Sequence, residues 1–317
     1  MRIDVWENGQ VKESSLDDLK ENFNHPSWIN FSDPSVEELE KAAEALDIPK
    51  HILIGKLHSN YPHIDTYPEY TKIFSWHLSK NPDRKDVSFH RRPVVMLTNK
   101  VSIITISSSK TGVYERISKE LAEKDTPNLS MPALIVYLTM MYLLESYEYF
   151  AVEFEKLAER FEEAIPPWPR SFYADSFSIR KNASRFLRLL KHFRSTVELL
   201  TKERTYIPLT EEEKRIFDVA YDRTVGAEES TEMSLETIRD LVDTHFDIIS
   251  HDMNRAMRFL AAITSIAAIP SVIGAFLGMN LIGVPWPLEL WQVAIASILI
   301  AVLLFVFFYR KGWLKEV

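Results

Sequence analysis

Cysteine is absent from the 317 residues, so neither a disulfide framework nor a thiolate metal site is available. Glycine is scarce, eight in all, and no phosphate-binding glycine loop is among them. That argues against transport driven by nucleotide hydrolysis. The N-terminus, Met1-Arg2-Ile3-Asp4, opens no apolar segment resembling a signal peptide. Catalytic motifs are nearly missing as well. Ser107–Gly112 contains a Ser-x-x-Lys and a Lys-Thr-Gly, but they overlap in one turn, whereas the penicillin-recognising mechanism needs them on separate elements. The nine histidines show no metal-ligand spacing: His58 and His63 fall in a loop, His245 and His251 on an exposed helix. The chain is therefore not read as an enzyme, and no organic cofactor is expected.

Charge is missing from two stretches, Phe259 to Met279 and Leu290 to Tyr309. Each is about the twenty residues that cross a ~30 Å hydrocarbon core. Two membrane spans, about 259–279 and 290–309, therefore close the chain. Arg255 and Arg258 precede the first, Arg310, Lys311 and Lys315 follow the second, and the loop Leu281 to Glu289 has no basic residue. The positive-inside rule then places both termini in the cytoplasm and the loop outside, in a cell (inner) membrane. Everything before about Asp252 has soluble composition. Lysine and arginine number 37 against 45 acids, a formal charge of −8 carried by the soluble part. Cationic partners are favoured over nucleic acid.

Residues 1–125 read as an α/β cytoplasmic domain. Ile3 to Trp6, Trp28 to Phe31, Thr71 to Leu78, Pro93 to Leu97 and Val101 to Ile106 are rich in β-branched and aromatic residues, with a tight turn at Asn99-Lys100. Asp33 is expected to cap a helix with Pro34 at its first position and Val36, Leu39, Ala42, Ala43 and Leu46 on one face. Residues 126–250 form a helical stalk. An acidic helix, Leu134 to Ile165, ends at Pro166, Pro167, Trp168 and Pro169, and a basic helix returns over Ser176 to Arg204. The basic stripe (Arg180, Lys181, Arg185, Arg188, Lys191, Arg194) is read as the counter-charge of the acidic helix rather than as a lipid or nucleic-acid surface.

From Thr210 no proline intervenes until Pro270, so one long helix is expected to run into the membrane part, 251–317. On it Asp243, Asp247, Ser250, Asn254, Met257, Ala261, Thr264, Ala268, Ser271, Ala275 and Gly278 recur at alternating spacings of four and three. That is the 3.5 period of one face in a supercoiled bundle. The stripe admits two readings: a wet, narrow pore lining, or a small-xxx-small face that only joins helices. As two spans cannot enclose a channel, a pore requires several copies. At the outer end, Gly278, Met279 and Asn280 place backbone and a neutral amide where a hydrated cation would enter.

The triplet at the exit of the penultimate span, the short loop, the second span and the basic tail Arg310-Lys311-Gly312-Trp313-Leu314 resemble the CorA family of magnesium channels and transporters. Trp28, Ile29, Asn30 and Pro34 with Glu37, Glu38 and Leu39 are similar to that family's early pattern. The resemblance implies a homopentamer in the bilayer, the first span lining the pore and the second facing lipid. It implies Mg2+ as transported and regulatory ion, bound hydrated at Gly278, Met279 and Asn280. Asn254 would then be an inner polar ring, Met257 and Leu260 a hydrophobic constriction, and Asp243 the inner mouth. Asp218 and Asp222 are candidates for closure by cytoplasmic Mg2+ bridging subunits. The chain departs from the family at Leu277, where an aromatic is usual, at Ala268, and in the loop Val284-Pro285-Trp286-Pro287, whose only acid is Glu289. Alternatives are Co2+, Ni2+ or Zn2+ as cargo, or a membrane-anchored sensor without flux.

Overall fold

The computed structural model describes residues 2–7, 10–15, 19, 23, 25–55, 57, 59–81, 87–123, 126–163, 172–202, 207, 209–279 and 289–314. They form two compact units, Met1–Arg239 and Asp240–Val317. In the first, seven strands, β1 Arg2–Glu7, β2 Gln10–Glu13, β3 Trp28–Ser32, β4 His63–Thr66, β5 Thr71–Lys80, β6 Phe89–Thr98 and β7 Ile103–Ser107, make one sheet in the order β2-β1-β3-β7-β6-β5-β4. Only β3 and β7 run parallel. Helices α1 Val36–Leu46, α2 Lys50–Leu53 and α3 Val113–Glu123 complete the expected α/β domain. Two more, α4 Met131–Glu162 and α5 Phe172–Leu200, precede α6 Glu211–Gly278, and α7 Leu290–Arg310 closes the chain.

The five expected strands are present, and the two that the sequence did not announce, β2 and β4, are the sheet's edges. Edge strands face solvent on one side and carry polar residues, Gln-Val-Lys-Glu and His-Ile-Asp-Thr here, so they lack the β-branched signal. Pro93 sits in β6, an interior strand. It pairs with Trp76 of β5 but lies one residue outside the β6–β7 ladder, which ends at Val94 opposite Ser107, so no N–H is needed toward β7 there.

The expected helix cap is displaced. Asp33 lies in the left-handed region (φ 49°), and Ser35 caps α1 in a reciprocal capping box with Glu38. The hydrogen bond from the Ser35 backbone N–H draws the Glu38 carboxyl down to about 2. Asp33 instead ties β3 to β7, its N–H donating to the Ser107 carbonyl (3.0 Å) and its Oδ2 accepting from the Ser109 N–H (3.0 Å). Ser109 and Ser108 hold its carboxyl below the usual range. The overlapping motifs at Ser107–Gly112 make this 3-10 turn and have a structural role. The turn at Asn99 forms as expected, its Oδ1 accepting from the Val101 and Ser102 N–H groups at 2.8 and 2.6 Å.

Helices α4 and α5 meet through rings rather than charges. Tyr147 stacks on Phe193 (centroids 4.7 Å apart) and Phe154 lies 5.5 Å from Phe186, all four fully buried. Among the described residues no ion pair joins the acidic helix to the basic one. Both find counter-charges on α6 instead: Glu148 takes a two-pronged contact from Arg223 (2.8 and 2.5 Å), Lys191 reaches Glu232 at 2.6 Å, and Arg194 reaches Glu228 at 3.2 Å. The expectation that these two helices neutralise each other is corrected accordingly. The bend at 166–169 lies outside the described residues. α6 starts on a second capping box, Thr210 with Glu213, whose carboxylate also accepts from the Ser130 N–H at the start of α4 (3.3 Å).

Candidate ion pathway

α6 is 68 residues long and continuous through Pro270. Proline removes one backbone donor inside the helix, leaving the carbonyl four residues earlier without its ordinary partner. One residue on, the Ser271 hydroxyl donates to the Ala267 carbonyl (3.0 Å), and the Thr264 hydroxyl donates to the Leu260 carbonyl (2.8 Å). These back-bonds use the hydroxyl protons within the helix and leave oxygen lone pairs outward.

The second unit carries both apolar windows, and each is only 6 % buried. The core helices of a soluble domain would be covered; these two need another solvent, and their length fits a bilayer. Aromatic residues stand at the ends of α7, Trp291 at its start, Tyr309 and Trp313 at its finish beside Arg310 and Lys311.

Burial along α6 distinguishes two lines. Phe259, Ile266, Ile269 and Ile273 are partly covered and Ala262 is fully buried, at spacings of three and four. On α7, Val293, Ala301, Leu304 and Phe308 are partly covered and Ser297 is buried. Small residues at the centre of each covered line permit close helix approach. Met257, Ala261, Thr264, Ala268, Ser271, Ala275 and Gly278 are all exposed. At about 100° per residue, positions two apart point to nearly opposite sides. Thr264, flanked by Ala262 and Ile266, therefore faces away from the covered line. The line of contact inside the chain is not the stripe the sequence singled out, and its signal, Ala262 beneath a run of β-branched residues, was legible but unread.

Every described stripe residue stands on this one helix, exposed: Asp243, Asp247, Ser250, Asn254, Met257, Ala261, Thr264, Ala268, Ser271, Ala275 and Gly278, with Leu260 exposed beside them. Met257 and Leu260 are each 61 % exposed, in company with Ile263, Val272 and Phe276 elsewhere on the span. A Cβ added at Gly274 or Gly278 would meet nothing within 4 Å, so packing within the chain does not require glycine at either place. Met279 follows as the helix ends; Asn280 and the loop 281–288 lie outside the described residues. Glu289, the loop's acid, caps α7 in a box with Gln292 and accepts from the Trp291 indole N–H. Its charge is engaged at a helix N-terminus, where a carboxylate is stabilised.

Asp218 and Asp222 are exposed on the stretch of α6 within the first unit, one turn apart. Among the described residues no three histidine or carboxylate side chains gather to hold a metal. The described acids thus supply no closed cation cage, and beyond Asp247 the exposed stripe offers hydroxyls, an amide and carbonyls instead.

Comparison with known proteins agrees with this arrangement. The family described as CorA-like Mg2+ transporter protein matches residues 23–310. The chain is 24 % identical over 323 residues to the cobalt/magnesium transport protein CorA of Methanocaldococcus jannaschii, spanning 98 % of this chain and 99 % of that protein. The complete structure of the CorA magnesium transporter from the same organism superposes with a TM-score of 0.77 at 20 % identity, covering 98 % of both chains. The full-length CmaX protein superposes with a TM-score of 0.74 at 16 % identity, covering 99 % of this chain and 98 % of that one.

Proposed function

This chain belongs to the CorA-like Mg2+ transporter family, and on that premise we propose that copies of it assemble in the cell membrane around the exposed stripe of α6 to conduct hydrated Mg2+ passively. One observation carries the reading. The stripe from Asp243 to Gly278 is polar, then small, and lies opposite the only line of the span that the chain covers for itself. A stripe facing lipid would be bulky and apolar, and the inter-helix contact is already made elsewhere.

Mg2+ sheds its waters reluctantly, so hydroxyls, amides and carbonyls that touch a hydrated ion suit its passage better than direct carboxylate ligation. Gly278, Met279 and Asn280 form the entrance in this reading, Met257 and Leu260 the constriction, Asn254 an inner polar ring. Asp243 and Asp247 gather cations at the cytoplasmic mouth. The membrane potential supplies about 4.6 kcal/mol per 100 mV for a divalent ion, twice the single-charge value, so no further energy source is required. We place both termini in the cytoplasm on the basic flanks Arg255, Arg258, Arg310 and Lys311, take the assembly to be a homopentamer, and retain the division at 1–125, 126–250 and 251–317. Closure by cytoplasmic Mg2+ is assigned to Asp218 and Asp222, with the remaining ligands supplied by a neighbouring copy. Cobalt is a second cargo, favoured by the cobalt/magnesium description of the archaeal relative.

The test is flux into proteoliposomes holding the purified protein alone. Mg2+ uptake is expected from the wild type, and Asn280→Ala is expected to abolish it while leaving assembly size unchanged. Wild-type uptake by that variant would remove Asn280 from the entrance. Absence of uptake by the wild type would leave a sensor.

A further inference from the structure

We propose that the cavity between the β5–β6 pair and helix α5 is a binding site for a phosphate-bearing polyanion. It has a volume of about 600 Å³ and is lined by Arg91 from β6, Asn182, Arg185 and Arg188 from α5, and Asn60 and Tyr61 from the segment before β4. That is within the ~300–1,000 Å³ typical of small-ligand sites. All of it belongs to the first unit.

The basic stripe of α5 divides here. Lys191 and Arg194 have carboxylate partners on α6, whereas Arg188 and Arg185, about one and two turns before Lys191, have none among the described residues. Their spacing of three puts both on the same flank of the helix, with Asn182 one turn further back. Arg91 faces them from the sheet. Its guanidinium lies over the Trp76 ring, 5.1 Å from the centroid, and donates to the Asn60 carbonyl (3.3 Å), which fixes its place without cancelling its charge. Tyr61 is held beside them by stacking on His192, with ring centroids 4.3 Å apart.

Three arginines, all exposed, thus line one cavity with no carboxylate among the described lining residues, in a chain whose formal charge is −8. Residues 82–86 lie outside the described residues; by sequence they carry two acids, Asp83 and Asp86, and two bases, Arg84 and Lys85, and so add no net charge. Like charges brought together are unfavourable unless an anion joins them, and arginine's planar fork matches phosphate oxygens two at a time. The Asn60 side-chain amide, also on the lining, supplies further donors to the same oxygens. The shared chemistry is a phosphate or polyphosphate group, carried either by a soluble molecule or by a lipid headgroup.

Full-length protein in detergent and metal-depleted buffer is titrated calorimetrically with tripolyphosphate and, separately, with dihexanoyl phosphatidic acid. Saturable binding of at least one is expected, and the tighter probe identifies the source. Arg185→Gln/Arg188→Gln is expected to weaken it about tenfold or more, and Arg91→Gln from the opposite wall to weaken it likewise. Lys181→Gln, on the same helix but outside the cavity, is expected to leave it unchanged. No saturable binding of either probe, or an equal loss in Lys181→Gln, overturns the proposal. Because the measurement reads binding without flux, its failure leaves the ion pathway untouched.

Discussion

Residues 211–239 and 240–278 of α6 are one uninterrupted helix used in two ways. In the first stretch Phe217, Ala220, Thr224, Ala227, Thr231, Leu235 and Ile238 are buried. In the apolar part of the second, from Phe259 on, Phe259, Ala262, Ile266, Ile269 and Ile273 are the covered positions. Both lines keep the spacing of three and four that holds one face of a helix against neighbours. Hydroxyls behave alike too: Thr224 and Thr231 donate to the carbonyls four residues back, as Thr264 and Ser271 do. What changes is the uncovered side, which carries Asp222, Glu229 and Glu236 in the first stretch and Thr264, Ala268, Ser271 and Ala275 in the second. The period fixes which residues are hidden, and the solvent, water or lipid, fixes what the exposed ones must be.

The sharpest way to break this comparison is to truncate a large apolar residue in each stretch. Phe217 is fully buried and meets Tyr137 edge-on at 5.6 Å, so Phe217→Ala is expected to lower unfolding stability by about 3–5 kcal/mol. Leu260→Ala, at a 61 % exposed position, is expected to change stability by less than about 0.5 kcal/mol and instead to raise leak at high internal Mg2+. Denaturation of each variant and closed-state flux in proteoliposomes measure the two effects. A stability loss at Leu260 matching that at Phe217 would mean that its apolar side chain packs within the fold rather than narrowing a pathway.

The same contrast can be drawn within the span. Ala262 is fully buried, so Ala262→Leu overpacks the covered line and is expected to destabilise by about 1–3 kcal/mol. Ala268→Leu adds the same bulk to the exposed stripe and is expected to leave melting unchanged while reducing Mg2+ uptake. If both variants melt early, the stripe is a packing face and the small-xxx-small reading regains its place.

Much of this was readable before the structure, and the failures have causes. β-branched strands, the uncharged spans and the long proline-free helix are patterns of local composition, and all are present. The edge strands β2 and β4 escaped because polar residues at an edge look like a loop. The partners of Glu148, Lys191 and Arg194 escaped because charge complementarity along a sequence does not say which of three helices supplies the counter-charge. Lys72 was invisible for the same reason: a fully buried ammonium donating to the carbonyls of Ile52 (2.8 Å), Leu53 (3.1 Å) and Gly55 closes the end of α2, a contact made twenty residues away. For the pathway, the stripe was legible from period alone, whereas its uncovered side had to be seen against the covered line. Asn280 rests on the sequence, being outside the described residues.

The smallest expected effect separates the regions by pH. The span 259–279 carries no titratable side chain, whereas His77 sits half-buried in β5, stacked on Tyr142 with centroids 5.5 Å apart and paired in register with Arg92. Burial first, and the Arg92 charge second, draw its pKa from 6.5 down to about 4. The unfolded chain therefore binds a proton between those values that the folded chain refuses, so stability falls as pH drops through this window and levels off below it. Because the ring is only half-buried, solvent screening limits the change to on the order of 1 kcal/mol. His77→Gln is expected to flatten the slope of unfolding free energy between pH 6.5 and 4 without altering Mg2+ uptake at pH 7. An unchanged slope would transfer the pH sensitivity to the carboxylates, and a shifted uptake would tie His77 to conduction.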